Sequence, residues 1–406
     1  MIELVSPESV GLNSGQLDRI ATHLGEHYVK PQKIPGSITL VSRHGRACYL
    51  DVQGLRDVER GTPMTPDTIL RIYSMTKPIT SLAIMTLHER GLFALDDPVH
   101  RYIPSWRNLG VWTAGSYPLW ATQPCQRPMT IRDLLMHTSG LTYDFLRATN
   151  IDYAYRKEQI ALPRPGYTLQ DMVDQLAVLP LEFSPGERWN YSVATDVLGY
   201  LLEVISGKTF SEYLQETIFG PLGMHDTSFV ISEDKVGRFA SCYERNLQKE
   251  MVMNDDGQDS RYAGRTFESG GGGLVSTVAD YFRFCQMLLA GGTLDGERVI
   301  GSRTLDFMTR NHIPGGADMS EFATGSFSES AYNGVGFGLG FANKVDAVAN
   351  GHPGSVGSYF WGGLASTLFW VDPVEELIVI FMTQLMPSST FNFRGQLENI
   401  IYAALE

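Results

Sequence analysis

Strand patterns lie at both ends of this chain and helical patterns lie between them, which restricts the folds that it can adopt. Alternating or continuous apolar runs predict strands at residues 37–41, 47–52, 336–341, 358–364, 367–371 and 377–382. A short turn at Ala365-Ser366 predicts a hairpin between two of them. Apolar stripes at helical spacing predict helices at residues 74–90, 130–136, 169–178, 194–206, 278–289 and 394–404.

The simplest topology that pairs these strands is one antiparallel sheet built from the N- and C-terminal parts of the chain. We therefore expect an α/β fold of the α+β type, in which helices flank this sheet and a mostly helical domain is inserted. The predicted sheet domain comprises residues 1–97 and 266–406, and the inserted domain comprises residues 98–265. Within the insertion, residues 107–128 are predicted to form a long irregular segment.

Charge and composition exclude several classes of partner. Lys and Arg together number 32 and Asp and Glu number 45, so the net charge is −13, which disfavours binding to nucleic acid and to anionic membranes. No apolar run is long enough to span a membrane, and the N-terminus shows no signal peptide, so we expect a cytoplasmic protein. The four cysteines lie far apart without a CxxC pair, which predicts neither a disulfide framework nor a zinc site.

One short motif at the start of the predicted helix 74–90 carries chemistry. Ser74 and Lys77 of Ser-x-x-Lys stand one turn apart on one helical face, so the hydroxyl and the amine can meet. The lysine can act as the base for the serine if burial lowers its pKa, or it can instead lower the pKa of a nearby tyrosine. On spacing alone, a capped helix with a surface lysine is the commoner explanation. The GxSxG, HExxH and P-loop patterns are absent.

Further strings accompany this motif along most of the chain. They are LLMHTSGL at residues 134–141, PGERWNYSV at 185–193, GPLGM at 220–224, GGLVST at 272–277, WGGL at 361–364 and VDP at 371–373. Together with Ser-x-x-Lys, and in this order, they resemble the serine hydrolases of the β-lactamase and penicillin-binding-protein superfamily. The sequence is most similar to class C β-lactamases and family VIII carboxylesterases, which implies a β-lactamase-like fold.

The resemblance implies a role for residues in each of three motifs. Ser74 is the expected nucleophile, Lys77 its helper, and Tyr191 the base during acylation and the acid toward the leaving alcohol. The third motif is expected at Trp361-Gly362-Gly363, where it would contribute to substrate binding. The backbone N–H groups of Ser74 and Leu364 are expected to form the oxyanion hole.

A competing alignment places the third motif at His352-Pro353-Gly354. We favour the later position because a short turn follows it and leads into the next strand, whereas Pro353 would interrupt an edge that must supply backbone donors. His352 is nevertheless expected near the substrate because of the loop on which it lies.

Two positions depart from the β-lactamase pattern. Val193 stands where class C enzymes have the Asn of Tyr-x-Asn, and Trp361 stands where the family has the Lys of Lys-Thr-Gly. Both changes remove groups that recognise an acidic, peptide-like substrate, because Val donates no hydrogen bond and Trp carries no charge. We therefore expect an uncharged small-molecule ester with a short or aromatic acyl group, with weak turnover of β-lactams and with no metal or organic cofactor.

Aromatic residues of the insertion are candidates for the substrate pocket. Tyr143 is the first choice, followed by Trp112, Trp120 and Phe145, although core packing is the commoner role of such residues. His137 is interpreted as a structural hydrogen-bonding residue rather than a catalytic base.

Several functions are compatible with these residues. A serine carboxylesterase is the leading hypothesis, and an acyltransferase that uses the same acyl-enzyme is the second. A β-lactamase or D-amino-acid peptidase is the third, and a non-catalytic binding protein of the same fold is the fourth, although the intact Ser74, Lys77 and Tyr191 speak against it. We expect a monomer or weak homo-oligomer that acts on a small-molecule ester.

Overall fold

The computed structural model describes residues 2–264, 266–324 and 331–406. Its strands, in chain order, are β1 (Gly36–Arg43), β2 (Arg46–Asp57), β3 (Thr62–Pro63), β4 (Leu70–Arg71), β5 (Gly110–Ser116), β6 (Leu119–Pro124), β7 (Cys242–Arg245), β8 (Met251–Asp255), β9 (Val275–Ser276), β10 (Thr293–Leu294), β11 (Glu297–Arg298), β12 (Val335–Phe337), β13 (Ala342–Lys344), β14 (Tyr359–Gly363), β15 (Thr367–Asp372), β16 (Leu377–Met382) and β17 (Leu385–Met386).

The α-helices alternate with short 3-10 and π turns. In chain order they are α1 (Ser14–Leu24), α2 (Thr76–Glu89), α3 (Ile131–Leu135), α4 (Asn150–Glu158), α5 (Leu169–Leu176), α6 (Ala194–Ser206), α7 (Phe210–Leu214), α8 (Gly220–Leu222), α9 (Val278–Leu289), α10 (Ser302–Thr309), α11 (Met319–Phe322), α12 (Ala347–Asn350) and α13 (Phe393–Tyr402). In the described residues, no helix combines the length and the apolar character needed to cross a membrane.

One eight-stranded sheet joins the two ends of the chain. Its order is β12-β13-β14-β15-β16-β1-β2-β3, and β1 pairs antiparallel with β16 from Ile38↔Met382 to Arg43↔Leu377. This pairing confirms the predicted α/β fold with an antiparallel sheet built from N- and C-terminal segments. The domain boundaries stay a prediction, and residue 265, the predicted end of the insertion, lies outside the described residues.

Helices cover both faces of the sheet, which explains why β16 is apolar throughout. The ring of Tyr281 on α9 packs 5.1 Å from that of Phe369 on β15, and Phe393 on α13 packs 4.8 Å from Phe381 on β16. Because Phe381 pairs with Leu368, the neighbour of Phe369, these two contacts lie on opposite faces. Every residue of β16 is consequently buried.

Two of the predicted segments are wrong in detail. Residues 107–128 are largely a hairpin of β5 and β6, paired from Gly110↔Pro124 to Ser116↔Leu119, rather than an irregular loop. The predicted strand 336–341 covers the end of β12 and the turn that leads back into β13, with Gly340 at φ +90°. The insertion also contains the hairpin β7–β8, so it is less purely helical than its periodicity predicts.

Helix α2 lies at the centre of the molecule. All its residues from Thr76 to Leu87 are buried, and Pro78 occupies its first turn, where a missing N–H is tolerated. A 3-10 turn, Tyr73–Met75, leads into it. The start of this helix is therefore largely shielded from water.

Candidate active site

The three residues of the predicted catalytic set meet at one hydroxyl. Ser74 Oγ accepts hydrogen bonds from Lys77 Nζ at 3.2 Å and from the Tyr191 hydroxyl at 2.6 Å. Ser74 is 8% exposed, Lys77 2% and Tyr191 1%. The fold therefore brings Tyr191 to a serine that precedes it by 117 residues, at a site from which water is mostly excluded.

The turn that presents Ser74 is held in an unusual conformation. Tyr73, directly before the serine, has φ +42°, in the left-handed region that costs a non-glycine residue free energy. On the N-terminal side, β4 pairs with β9, and Ile72 N donates to Leu274 O at 3.2 Å. The fully buried Arg71 donates from Nε to Asp255 Oδ2 at 2.8 Å, so the strand before the turn is fixed by a buried ion pair.

Lys77 is surrounded by groups that favour a positive charge. Its Nζ donates to Gly271 O at 2.7 Å as well as to Ser74 Oγ. The same atom lies 4.4 Å from the ring centroid of Tyr191 and 5.1 Å from that of Tyr143. A carbonyl oxygen and two aromatic faces each stabilise an ammonium.

The Tyr191 ring is fixed by four aromatic neighbours. Trp189 stacks nearly parallel to it at 6.0 Å, and His137, Tyr143 and Trp361 contact it at 5.2, 5.1 and 5.6 Å between ring centroids. The Trp361 side chain is fully buried against Tyr191, and its buried Nε1 has no hydrogen-bond partner among the residues that the structure describes. Trp361 thus supports the tyrosine instead of lining the substrate cavity.

His137 lies in the same aromatic cluster but is held as a neutral ring. Its Nδ1 is 3.1 Å from Ser192 Oγ. Burial, with a further contribution from the charge of Lys77, lowers the pKa of His137 well below 6.5. The histidine packs between Trp189 and Phe337, in agreement with its interpretation as a structural residue.

A cavity of about 190 Å³ leads to the Ser74 hydroxyl, and most of its wall is apolar. Its lining comprises Tyr73, Ser74, Tyr143, Asp144, Phe145, Ile160, Ala161, Leu162, Pro163, Asp196, Arg261, Tyr262, Ser269, Gly271, Gly272 and Leu364. Among the described residues, no cluster of three or more His, Cys, Asp or Glu side chains could hold a metal ion.

The structure brings some of the predicted pocket residues to this cavity and leaves others out. Tyr143, Phe145 and Leu364 line it, and the rings of Tyr143 and Phe145 stack at 4.7 Å. Trp112 and Trp120 lie on the β5–β6 hairpin and do not line it.

Val193 is buried at the N-terminus of α6, where its N–H donates to Thr142 O at 3.2 Å, so it does not reach the cavity either.

The Trp361-Gly362-Gly363 motif passes directly beside the nucleophile turn. A side chain on Gly363 would clash with Ile72 O, two residues before Ser74, so glycine is needed for this close approach. Gly362 pairs with Leu368 inside the β14–β15 hairpin. Leu364, which follows, reaches the cavity.

His352 lies elsewhere, and its expected place near the substrate is wrong. It lines a different cavity, whose wall includes Phe391, Arg394 and Glu398 and excludes Ser74. Its ring packs against Gly395 and its Nδ1 is 3.4 Å from Asn399 Oδ1, so the loop after α12 is held by helix α13. This placement also argues against the alignment of the third motif at His352-Pro353-Gly354.

One functional neighbour was not predicted from the sequence. Asp196 is 1% exposed, and its Oδ1 accepts hydrogen bonds from Ser269 Oγ at 2.5 Å and from Gly271 N at 3.0 Å. Burial raises its pKa, and the charge of Lys77 opposes this effect. The available signal was an acidic residue in the first turn of a mainly apolar helix, five residues after Tyr191.

Comparisons with known proteins find similar sequences and structures over most of the chain. The family model for beta-lactamase matches residues 18–402. Protein Rv1367c of Mycobacterium tuberculosis is 35% identical over 357 residues, which cover 87% of this chain and 86% of that protein. Esterase EstB of Burkholderia gladioli is 31% identical over 396 residues, which cover 93% of each chain. The solved structure of EstCE1, a hydrolase with promiscuous acyltransferase activity, covers 98% of this chain and 99% of its own, with TM-score 0.78 and 25% identity.

The neutral state of His137 predicts a loss of stability in acid. Below pH 6.5 the unfolded chain binds a proton at this residue that the native protein does not, so the free energy of unfolding falls as the pH falls. Between pH 7.5 and 5.5 this contribution amounts to about 1.4 kcal/mol. His137→Asn, which tolerates the left-handed φ of 56°, should remove it, as measured by urea unfolding at both pH values.

His44 provides the matched control, because it has a similar φ of 54° but is exposed to solvent. His44 Nδ1 lies 2.7 Å from Glu376 Oε2, so His44→Asn removes an exposed ion pair and should not abolish the loss of stability in acid. If His137→Asn retained the full pH dependence of the wild type, the imidazole would be charged in the native protein.

Proposed function

The chain belongs to the beta-lactamase family, and from this membership we propose that it is a serine carboxylesterase, which cleaves uncharged small-molecule esters through an acyl-enzyme on Ser74. The observation that carries the proposal is the Ser74 hydroxyl, which lies between Lys77 Nζ and the Tyr191 hydroxyl at the base of a mainly apolar cavity. A serine hydroxyl is a weak nucleophile until a neighbouring base takes its proton, and this site supplies one within hydrogen-bond distance.

In the proposed acylation step, the phenolate of Tyr191 accepts the Ser74 proton as Oγ attacks the ester carbonyl carbon. The ammonium of Lys77 stabilises that phenolate from 4.4 Å above the ring. The Ser74 and Leu364 N–H groups donate to the developing oxyanion. The close approach of Gly363 to Ile72 O supports this role, because it brings the backbone next to Leu364 close to the backbone next to Ser74. Tyr191 then returns the proton to the leaving alcohol.

Deacylation repeats these roles with water. Tyr191 accepts a proton from the water that attacks the acyl carbonyl, and Ser74 Oγ leaves as the hydroxyl once the proton is returned to it. The groups that act in both half-reactions, Ser74, Lys77, Tyr191 and Leu364, belong to this chain. The aromatic rings packed against Tyr191 keep its oxygen near Ser74 throughout.

The preference for uncharged substrates rests on the third motif, because the one cation that the described residues place in the cavity lining, Arg261, donates from Nη2 to the Tyr73 hydroxyl at 3.4 Å. Position 361 carries a tryptophan whose ring is buried behind Tyr191, so the third motif places no cation beside the substrate. Phe145, Ile160, Leu162 and Pro163 form an apolar wall that suits a short aliphatic or aromatic acyl group. Cytoplasmic localisation and a monomeric or weakly oligomeric state stay predictions from the sequence.

Acyl transfer is the second candidate function. The structurally similar EstCE1 is described as a hydrolase with promiscuous acyltransferase activity, and an acyl-enzyme on Ser74 serves either outcome. The acceptor that attacks the acyl group, water or an alcohol, decides between them.

Ser74→Ala should lower kcat/KM for p-nitrophenyl acetate by more than about 10³-fold, because it removes the nucleophile and leaves only binding and the oxyanion donors. A fluorophosphonate probe should add to the wild type at Ser74, as located by peptide mapping after intact-mass analysis. Labelling at another residue would refute the assignment of the nucleophile.

Ser81→Ala is the matched control, on the helix α2 that follows Ser74. The buried hydroxyl of Ser81 has no hydrogen-bond partner among the described residues, so this change should preserve both hydrolysis and labelling. Equal loss of activity in the two variants would show that hydrolysis depends on the integrity of this region and not specifically on the Ser74 hydroxyl.

The substrate class is tested by comparing p-nitrophenyl acetate with nitrocefin. A cationic partner for a substrate carboxylate is worth about 1.5–3 kcal/mol, or roughly 10- to 100-fold in rate, and position 361 does not provide one. The kcat/KM for the ester should therefore exceed that for the β-lactam. The reverse order would favour a β-lactamase or D-amino-acid peptidase.

The partition of the acyl group is tested by adding a primary alcohol during p-nitrophenyl ester turnover. If the protein is chiefly a hydrolase, free acid should remain the main product at moderate alcohol concentrations. A dominant new ester at low alcohol concentration would instead identify an acyltransferase.

A further inference from the structure

The Gly270 to Gly273 run contacts the catalytic lysine through one residue. Gly271 O accepts the hydrogen bond from Lys77 Nζ at 2.7 Å, and Gly271 N donates to Asp196 Oδ1 at 3.0 Å. Both backbone polar groups of one glycine thus link a buried cation to a buried carboxylate. A β-carbon at this position would lie 2.5 Å from Asp196 Oδ2 and 2.7 Å from the Tyr143 hydroxyl, so only glycine fits between them.

Asp196 is held in place from both sides. It lies in the first turn of α6, the helix that begins three residues after Tyr191, and Ser269 Oγ donates to the same Oδ1 that accepts from Gly271. Tyr191 and Asp196 therefore lie on one segment of the chain. The hydrogen bond from Ser269 links that segment to the glycine run, whose Gly271 carbonyl accepts the hydrogen bond from Lys77.

We propose that Asp196 is a positioning residue of the esterase site, which fixes the Gly271 carbonyl that receives Lys77 and supplies the buried negative charge that keeps Lys77 an ammonium. The proposal rests on the proposed function, since it concerns the same acyl-enzyme chemistry. With Lys77 charged, the Ser74 proton goes to the Tyr191 phenolate as the Oγ–acyl bond forms, and Lys77 itself accepts no proton.

Other titratable groups face this pair, and they bear on any pH dependence. Around Lys77 they are Tyr143, Tyr191 and His137. Along the cavity beside Asp196 they are Tyr73, Asp144, Arg261 and Tyr262. Among the described groups around this site, only Asp196 accepts a hydrogen bond from Gly271, the residue whose carbonyl accepts from Lys77. Burial raises the pKa of Asp196 and the charge of Lys77 counteracts that rise, so the two side chains are electrostatically coupled.

Asp196→Asn tests the proposal through the pH profile of kcat/KM for p-nitrophenyl acetate. The amide preserves shape but removes the negative charge, which favours the phenolate of Tyr191 and the neutral amine of Lys77. Both limbs of the profile should therefore move to lower pH, by about one unit. A merely structural role would lower the activity equally at every pH and leave the limbs in place, and that result would overturn the proposal.

Asp280→Asn is the matched control. Asp280 is also buried, at 7% exposed, lies in the first turn of α9, and accepts from a backbone N–H and a hydroxyl. Burial likewise raises its pKa, but it does not line the Ser74 cavity. Its variant should keep both limbs of the wild-type profile, and a shift equal to that of Asp196→Asn would overturn the proposal.

Ser269→Ala carries the test if Asp196→Asn does not fold. Loss of the Ser269 hydrogen bond makes the Asp196 carboxyl harder to ionise, so the profile should move the same way by a smaller amount, and an unchanged profile would overturn the proposal. The pH dependence of fluorophosphonate labelling at Ser74 provides a readout that needs no ester turnover. If the wild type is labelled but hydrolyses no ester, the proposed function fails, while a shifted labelling profile in the variant still supports the role of Asp196.

Discussion

The buried amine of Lys77 organises the candidate site. An ammonium removed from water must be solvated by the protein, because an uncompensated buried charge costs several kcal/mol. Lys77, at 2% exposure, receives that solvation from Ser74 Oγ, the Gly271 carbonyl and the rings of Tyr143 and Tyr191. These groups belong to segments far apart in sequence, so the site can exist only when the fold is complete.

The same constraint explains why the surroundings of Tyr191 are aromatic. A phenol that exchanges protons with a serine must keep its oxygen within hydrogen-bond distance, and a ring packed against Trp189, His137 and Trp361 has little freedom to turn away. By the resemblance of motifs, Trp361 corresponds to the lysine of the Lys-Thr-Gly motif, and in this structure its indole packs against Tyr191. The third motif therefore adds no cation to the cavity.

The sequence predicted features that depend on local residue spacing better than features that depend on contacts between distant segments. The strand β16, the helix α6 and the Ser-x-x-Lys pair follow from periodicity and from i, i+3 spacing, and the meeting of Tyr191 with Ser74 followed from the resemblance of motifs in order. Asp196 was missed because its role depends on Gly271, which lies 75 residues away. His352 was placed wrongly because its loop docks on α13, and no local pattern reveals that contact.

The run Gly270 to Gly273 is a close backbone approach and not a phosphate-binding loop. Four consecutive glycines are conformationally costly, and no lysine follows them as in a phosphate-binding loop. A β-carbon on Gly270 would lie 2.6 Å from Thr195 O, and one on Gly273 would lie 2.8 Å from Ser269 O. Gly270 and Gly271 therefore pass against the start of α6, whereas Gly273 is restricted by its own segment. The close approach that excludes a side chain at Gly271 also brings its backbone within hydrogen-bond distance of Asp196 and Lys77.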